Sequence, residues 1–293
     1  MITLTGGSGF VGSSIFKYFG TGNIIKVDRN KPLDLSSSTC LIHVAGISSD
    51  LKKVQDPNVY YQGNTELTKQ YFEVFLRSHA KVFITLSSVK AVRDEVDGEL
   101  TEDEIPQPIS HYGKSKLLAE EYILSKKIPK DKRVYILRPC IIHGPGNRGN
   151  LHMLYNFVSK SVPWPLGAFE NFRSYCSIDN LLFIIKELIE RDDISSGVYN
   201  VADDIPLSTN EVIGIIAQSQ NKMPKFWRFS KVFLVCLTSI GDKLGLPINS
   251  ELLNKLTSSY VVSNVKIKSA IGKPLPLSSR EGLLKTFKSF NNL

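Results

Sequence analysis

The stretch Ile2-Thr3-Leu4-Thr5-Gly6-Gly7-Ser8-Gly9-Phe10-Val11-Gly12 decides the fold. Its first four residues read as a short buried strand. Glycines at 6, 9 and 12 follow with the spacing G-x-x-G-x-x-G, and Phe10, Val11, Ile15, Phe16 and Phe19 then recur on one side of a helix. A glycine loop between strand and helix turns tightly, lets the backbone approach a pyrophosphate, and aims a helix N-terminus at negative charge. A second apolar run, Ile24-Ile25-Lys26-Val27, ends in Asp28. An acid about 20 residues beyond such a loop is placed to take a pair of ribose hydroxyls. Strand before, helix after and acid behind separate this loop from a merely structural turn.

Outward from this stretch the two periodicities alternate. Strands are expected at 2–5, 24–27, 41–44, 82–86 and 133–137, and helices at 10–19, 57–78, 113–126, 149–160 and 179–191. Apolar strands separated by amphipathic helices predict an α/β, Rossmann-type doubly wound parallel sheet. Ligands of such sheets bind at the carboxyl ends of the strands. Gly6, Asp28, Ala45-Gly46, Ser87-Ser88 and Pro139 all fall at those ends. Residues 1–150 therefore read as a dinucleotide-binding domain. From about residue 150 the pattern loosens: Pro163-Trp164-Pro165-Leu166-Gly167 is rigid and turn-rich, and helices are expected near 209–219 and 249–257. Residues 151–293 read as a smaller mixed α/β lobe for the substrate, with the strand 198–201 a candidate to join the main sheet.

Tyr112-Gly113-Lys114-Ser115-Lys116 is the stretch that carries chemistry. On a helix, positions i and i+4 share a face, so the Tyr112 phenol and the Lys116 ammonium can enter one site. A free tyrosine has a pKa of about 10. A neighbouring cation favours the phenolate and brings it toward the pH at which a base works best.

The bulk properties exclude several classes. The chain has 293 residues, 42% of them hydrophobic and 22% charged, which suits a globular protein. Cys40, Cys140, Cys176 and Cys236 are scattered without C-x-x-C; this argues against a zinc site or disulfide framework and for a reducing, cytoplasmic setting. A strand at Ile2 leaves no room for a signal peptide, and no apolar run reaches the roughly 20 residues of a membrane span. Of the net charge of +8, most lies in residues 201–293, with 12 Lys/Arg against 6 Asp/Glu. That balance suits an anionic ligand such as a nucleotide diphosphate. Dense basic runs with interleaved aromatics are missing, so nucleic acid is not expected. The segment 226–237 (Phe-Trp-Arg-Phe-Ser-Lys-Val-Phe-Leu-Val-Cys-Leu) reads as a lid or core helix of the small lobe, or else as a surface for an anionic membrane. Seven carboxylates between Asp94 and Glu104 read as a solvated acidic loop rather than a metal site. His43, His79, His111, His143 and His152 lack metal spacing and are taken as structural.

Together these motifs resemble the extended short-chain dehydrogenase/reductase family of nucleotide-sugar epimerases, dehydratases and reductases. The marks are Thr5–Gly12, His43-Val44-Ala45-Gly46, Asn64, Leu86-Ser87-Ser88, Tyr112–Lys116 with Ala119-Glu120, Leu137-Arg138-Pro139 and Gly144-Pro145-Gly146. A finer resemblance, to the polysaccharide-biosynthesis branch, rests on Ser87-Ser88-Val89-Lys90, Gly146-Asn147-Arg148-Gly149-Asn150, Pro165-Leu166-Gly167 and Asn171-Phe172-Arg173-Ser174.

The resemblance implies NAD as cofactor, with NADP as the variant, and roles for individual residues. Tyr112 is the base or acid for the sugar 4-hydroxyl; Lys116 lowers its pKa and holds the nicotinamide ribose. Ser88 hydrogen-bonds the same hydroxyl, with Ser87 the fallback. Gly6, Gly9 and Gly12 cradle the pyrophosphate while Phe10 and Val11 donate backbone N–H groups. Asp28 takes the adenosine ribose, and Arg29 beside it weakens the exclusion of a 2′-phosphate. Asp34 and Leu35 sit where the family contacts adenine. Val44, Ala45 and Gly46 pass under the cofactor, and Asn64 and Pro139 complete that set. Asn150, Asn171 and Arg173 are assigned to the sugar nucleotide, Arg173 to its phosphates because a guanidinium fork matches them.

Two activities follow from this motif set. One is 4-epimerisation of a UDP-sugar, an N-acetylhexosamine above all, through a 4-keto intermediate. The other is reduction of a UDP-4-keto-6-deoxy-N-acetylhexosamine, kept open by Lys90-Ala91-Val92 where many family epimerases carry a Tyr-Gly pair. The resemblance also implies that a dehydratase of this family would carry an Asp-Glu pair just after the catalytic serine or threonine; Val89-Lys90-Ala91 stands there instead, so dehydration is not expected. A non-catalytic dinucleotide sensor is argued against by the intact Ser88, Tyr112 and Lys116. Helices 57–78 and 113–126 resemble those of the family's dimer interface, so a homodimer is expected.

Overall fold

Six parallel strands form the central sheet of the computed structural model, which describes residues 1–28, 32–48, 56–147, 149–244 and 249–291. In chain order they are Ile2–Thr5, Ile24–Lys26, Cys40–His43, Val82–Leu86, Arg133–Pro139 and Gly197–Val201. The first strand pairs with both the second and the third, and the rest add outward, giving the spatial order 2-1-3-4-5-6. The order reverses between the first and third strands, and a crevice opens at such a point. Gly197–Val201 runs parallel to Arg133–Pro139 as the outermost strand, with Val201 opposite Pro139.

The sheet is buried on both faces, which is why its strands read as continuous apolar runs. Alternate residues supply two cores. Ile2, Leu4, Ile42, Ile84, Tyr135 and Leu137 face the helices Phe10–Phe19 and Ile178–Glu190. Leu41, Phe83, Val134 and Ile136 face Phe72 and Phe75 of Leu67–Arg77 and Ile123 of His111–Leu124. The expected helix 57–78 is observed as a continuous element with a π-helical turn, Tyr61–Glu66, between Asn58–Tyr60 and Leu67–Arg77. Single π turns of this kind gather at functional sites.

The smaller lobe is built on a third core in which Leu151, Tyr155, Val212, Ile216, Leu283 and Phe287 meet. Helices Thr209–Ser219 and Ser279–Phe290 each open with a capping box, Ser208 with Glu211 and Ser278 with Glu281, so two orphan N–H groups are satisfied at each start. The apolar segment 226–237 enters the helix Lys231–Leu244, yet within that helix only Leu234, Thr238 and Gly241 are buried. Its remaining apolar side chains face outward rather than forming a lid core.

Candidate active site

Steric necessity shapes the glycine loop. A Cβ on Gly12 would lie 2.1 Å from the Gly6 carbonyl oxygen, and one on Gly6 would lie 2.6 Å from the Ala45 backbone nitrogen. Gly6 also has a φ of 70°, in the left-handed region. Loop, first strand end and Val44-Ala45-Gly46 therefore pack backbone against backbone. Gly9 ends the loop as the N-cap of Phe10–Phe19 and has no side chain to cap the helix, so the helix N-terminus stays open toward the crevice. This cradle has the shape and the donors that a dinucleotide pyrophosphate requires.

Asp28 is exposed just beyond the second strand; Arg29 lies outside the described residues. The Asp34 carboxylate accepts from the Ser36 N–H (2.8 Å) and hydroxyl (3.1 Å), bonds that hold it below the usual carboxylate range. Leu35 is buried in the core of the lower face. Pro139 is buried at the end of its strand.

Tyr112 and Lys116 share one face of His111–Leu124, a helix that starts where the Ser110 hydroxyl accepts from the Gly113 N–H. The Tyr112 ring meets Tyr60 edge-on, with centroids 6.1 Å apart. Lys116 Nζ donates to the Leu86 carbonyl at 2.9 Å, at the end of the fourth strand. Burial brings its pKa down to about 8, while the Glu120 carboxylate one turn on opposes the fall. Glu120 in turn forms a buried fork with Arg138, Nε lying 3.0 and 3.1 Å from the two carboxylate oxygens.

The two serines differ. Ser88 Oγ accepts from the Lys90 N–H at 3.2 Å, which leaves its own proton to donate. Ser87 Oγ is buried, has no partner among the described residues, and lines a small void with Lys116 and Glu120.

Asn64 is fully buried in the π turn. It accepts from the Ile47 N–H (2.8 Å) and donates to the Ile47 carbonyl (3.1 Å) and to Ser115 Oγ (3.0 Å). Its side chain thus holds the loop after the third strand and acts on the crevice through that loop. Ser115 donates to the Tyr112 carbonyl at 2.7 Å. On the other side Thr68 donates to the Asn64 carbonyl (2.6 Å) and meets His43 Nε2 (3.0 Å), while His43 Nδ1 meets Thr5 Oγ1 (2.7 Å). Because the Thr68 proton is spent on Asn64, Nε2 carries the histidine proton and Nδ1 accepts from Thr5. Burial, with the Lys116 charge adding to it, pushes His43 down to about 3, so the ring is neutral at physiological pH. One polar chain, Thr5–His43–Thr68–Asn64–Ser115–Tyr112, runs beneath the crevice from the glycine-loop strand to the tyrosine helix.

In the smaller lobe, Arg173 donates to the carbonyls of Ser258 (3.0 Å) and Lys255 (2.6 Å) and to Ser258 Oγ (2.8 Å), closing the C-terminus of Ser250–Thr257. Asn171 is buried and donates to the Ser258 carbonyl at 3.3 Å. Asn150 opens the helix Asn150–Ser159, and its side chain lies outside the described residues, as does Arg148.

Two residues acquire roles that local sequence did not suggest. The acidic stretch is largely exposed, as expected, but Asp94 is half-buried: it accepts from the N–H groups of Ile109 (2.7 Å) and Ser110 (3.0 Å) and from the Ser110 hydroxyl (2.8 Å), pinning the start of the tyrosine helix. Lys90 is partly buried, donates to the Asp94 carbonyl, and stands 4.7 Å over the Tyr260 ring. Burial lowers its pKa; the Asp94 and Glu95 carboxylates oppose the fall, while Arg173 and Lys255 add to it, so charges of both signs surround Lys90.

A profile of the NAD dependent epimerase/dehydratase family matches residues 2–202. The chain belongs to that family. The UDP-glucose 4-epimerase of Vibrio cholerae is 28% identical to this family member over 99% of the chain and 95% of its own length. The N-acetyl-alpha-D-glucosaminyl-diphospho-ditrans,octacis-undecaprenol 4-epimerase of Escherichia coli O157:H7 is 29% identical over 73% of the chain and 63% of its own. Among solved structures, MoeE5 in complex with UDP-glucuronic acid and NAD has a TM-score of 0.75 at 21% identity, over 99% of each chain, a likeness of fold. As a member of the NAD dependent epimerase/dehydratase family, the chain is an enzyme of a class whose cofactor is NAD, and the glycine cradle fits that group.

Proposed function

We propose that the chain is an NAD-dependent 4-epimerase of a UDP-sugar, with a UDP-N-acetylhexosamine as substrate and surface-polysaccharide synthesis as its setting. The observation that carries this reading is the Lys116 ammonium, one turn from Tyr112, docked on the strand end that bears Ser87 and Ser88. Supporting it are the 4-epimerases among the relatives, one of which acts on an N-acetylglucosaminyl compound.

Gly6, Gly9, Gly12 and the N–H groups of Phe10 and Val11 would hold the pyrophosphate, Asp28 the adenosine ribose and Lys116 the nicotinamide ribose. NAD, when bound, supplies the hydride acceptor and donor for C4 of the sugar. Tyr112 removes the proton of the C4 hydroxyl, and the Lys116 charge stabilises the phenolate. The Ser88 hydroxyl donates to the same sugar oxygen and fixes its position. The 4-keto sugar then presents its other face, and Tyr112 returns the proton. Lys90, Arg173 and Lys255 supply positive charge that suits a diphosphate, with the Asp94 and Glu95 carboxylates beside them. A homodimer through Leu67–Arg77 and His111–Leu124 belongs to the same reading, and Leu118 and Leu124 are exposed there.

The test is to denature protein purified without added cofactor, identify the released dinucleotide by mass, and follow a native sample with UDP-N-acetylglucosamine by proton NMR. Co-purified NAD and appearance of the C4 epimer are expected. An empty protein that leaves the sugar unchanged would transfer the assignment to reduction of a UDP-4-keto-6-deoxy sugar.

A further inference from the structure

The helix Lys231–Leu244 reverses the usual amphipathic arrangement. A surface helix turns its apolar stripe to the protein and its polar face to water. Here the buried stripe is Leu234, Thr238 and Gly241, and the Thr238 hydroxyl bonds back to the Leu234 and Val235 carbonyls, both at 3.0 Å. The outward face is the apolar one: Val232 is 72% exposed, Phe233 54%, Ile240 54% and Leu244 67%. Trp227 and Phe229 extend it as a ridge, with ring centroids 5.6 Å apart, and Phe229 meets Phe233 at 5.9 Å. A contiguous exposed apolar patch of this kind marks an interaction surface.

The charges carried by this segment are all but one positive. Lys222, Lys225, Arg228, Lys231 and Lys243 are all exposed, and residues 221–244 contain one carboxylate, Asp242. That carboxylate is engaged, accepting from the Ser250 N–H (3.0 Å) and hydroxyl (2.6 Å). A second copy meeting this face through its own equivalent would set five cations against five. An anionic bilayer complements them, since basic side chains near the surface are attracted to its headgroups. Tryptophan favours the headgroup level and lysine stems reach back toward water. Among the described residues no helix is long and apolar enough to cross a membrane, so the geometry is that of a helix lying in the interface.

We propose that residues 226–244 dock this enzyme on an anionic lipid surface. The segment is tied to the rest of the lobe by backbone bonds, Trp164 N–H to the Lys225 carbonyl (2.8 Å) and Gly167 N–H to the Trp227 carbonyl (3.1 Å). The same stretch of chain continues into Ser250–Thr257, whose last carbonyls hold Arg173. Docking therefore presents the lobe assigned to the sugar nucleotide beside the membrane, and it stands whichever reaction the site performs.

The test is flotation of the full chain with phosphatidylcholine vesicles, with and without about a quarter phosphatidylglycerol. Protein is expected to float with the anionic vesicles alone and to be released by about 0.5 M NaCl. The double variant Val232→Glu/Phe233→Glu changes two exposed positions; it is expected to keep its melting temperature and its turnover of soluble substrate while losing about tenfold or more in partitioning. Lys225→Glu/Arg228→Glu is expected to lose binding to anionic vesicles likewise. No flotation with either vesicle, or flotation unchanged in both variants, overturns the proposal. So does a fall in molar mass by light scattering in the Val232→Glu/Phe233→Glu variant, which would show a second copy covering the face.

Discussion

The Lys116 ammonium donates to the Leu86 carbonyl at 2.9 Å, so the cation meant for Tyr112 is anchored on the strand that delivers Ser87 and Ser88. The bond holds the ammonium in place, while burial brings its pKa down to about 8 from the usual 10.5.

A pH dependence follows from that value. The charge is present below about 8 and lost above it, so turnover is expected to fall as pH rises through that point. Stability moves the other way. Between about 8 and 10.5 the unfolded chain holds a proton that the folded chain has released, so folding becomes more favourable across that window. Lys116→Arg keeps its charge at high pH and is expected to move the fall in rate upward. A rate profile that does not move would remove Lys116 from it.

Tyr112→Phe removes the phenol proposed to carry the proton, and little volume. Turnover is expected to drop by about a hundredfold to ten-thousandfold, with NAD binding retained, as single-turnover kinetics and equilibrium dialysis would show. Unchanged turnover would take Tyr112 out of the mechanism.

Gly12→Ala places a methyl group 2.1 Å from the Gly6 oxygen, a backbone atom. The loop must deform, at a cost of about 1–3 kcal/mol. Dinucleotide affinity is expected to fall with stability, measured by calorimetry and by urea unfolding. An alanine variant that binds NAD as before would mean that the loop does not form the cradle.

Glu120→Gln breaks the fork with Arg138 and leaves a guanidinium buried beside an uncharged amide. A loss of about 3–5 kcal/mol in urea unfolding is expected. The variant also removes the charge that opposes the fall in the Lys116 pKa. Its rate should therefore decline at lower pH than the parent's.

Asp94→Ala frees the start of the tyrosine helix from three hydrogen bonds and should cost about 1 kcal/mol or more. Burial pushes this carboxyl up, but bonds from Ser110 and Ile109, with the Lys90 charge, hold it below the usual 3.8. Its contribution is thus present above that pH and lost as pH falls below it. Acid unfolding of the parent should be steeper than that of the variant, and coincident curves would exclude the pin.

Much of this architecture is local and was legible. The strands 2–5 and 82–86 and the helices 10–19 and 209–219 occupy the expected residues. A period of two or of 3.6, bounded by glycine or by a capping serine, is written in neighbouring residues. The glycine positions were legible for the same reason, and Tyr112 and Lys116 because four residues make one helical turn. The helix 113–126 begins instead at His111, since Ser110 caps it and Asp94, 16 residues earlier, holds Ser110.

What local pattern does not encode is partnership across the sheet. Asn64 looks like a crevice residue in sequence, yet its amide is taken up by Ile47 and Ser115. Asp94 looks merely solvated, yet it is half-buried and holds Ser110 and Ile109. The apolar run 226–237 looks like core, yet of its apolar side chains only Leu234 joins the interior with Tyr155, Ile216 and Phe287. The sequence by itself determined the parallel sheet, the glycine cradle and the Tyr112–Lys116 pair, because each rests on the geometry of one strand, one turn or one helix. The tertiary structure alone decided the Leu86 anchor, the Arg138–Glu120 fork and the outward face of Lys231–Leu244. Those depend on which distant groups share a buried space, where an unpaired charge is too costly to leave.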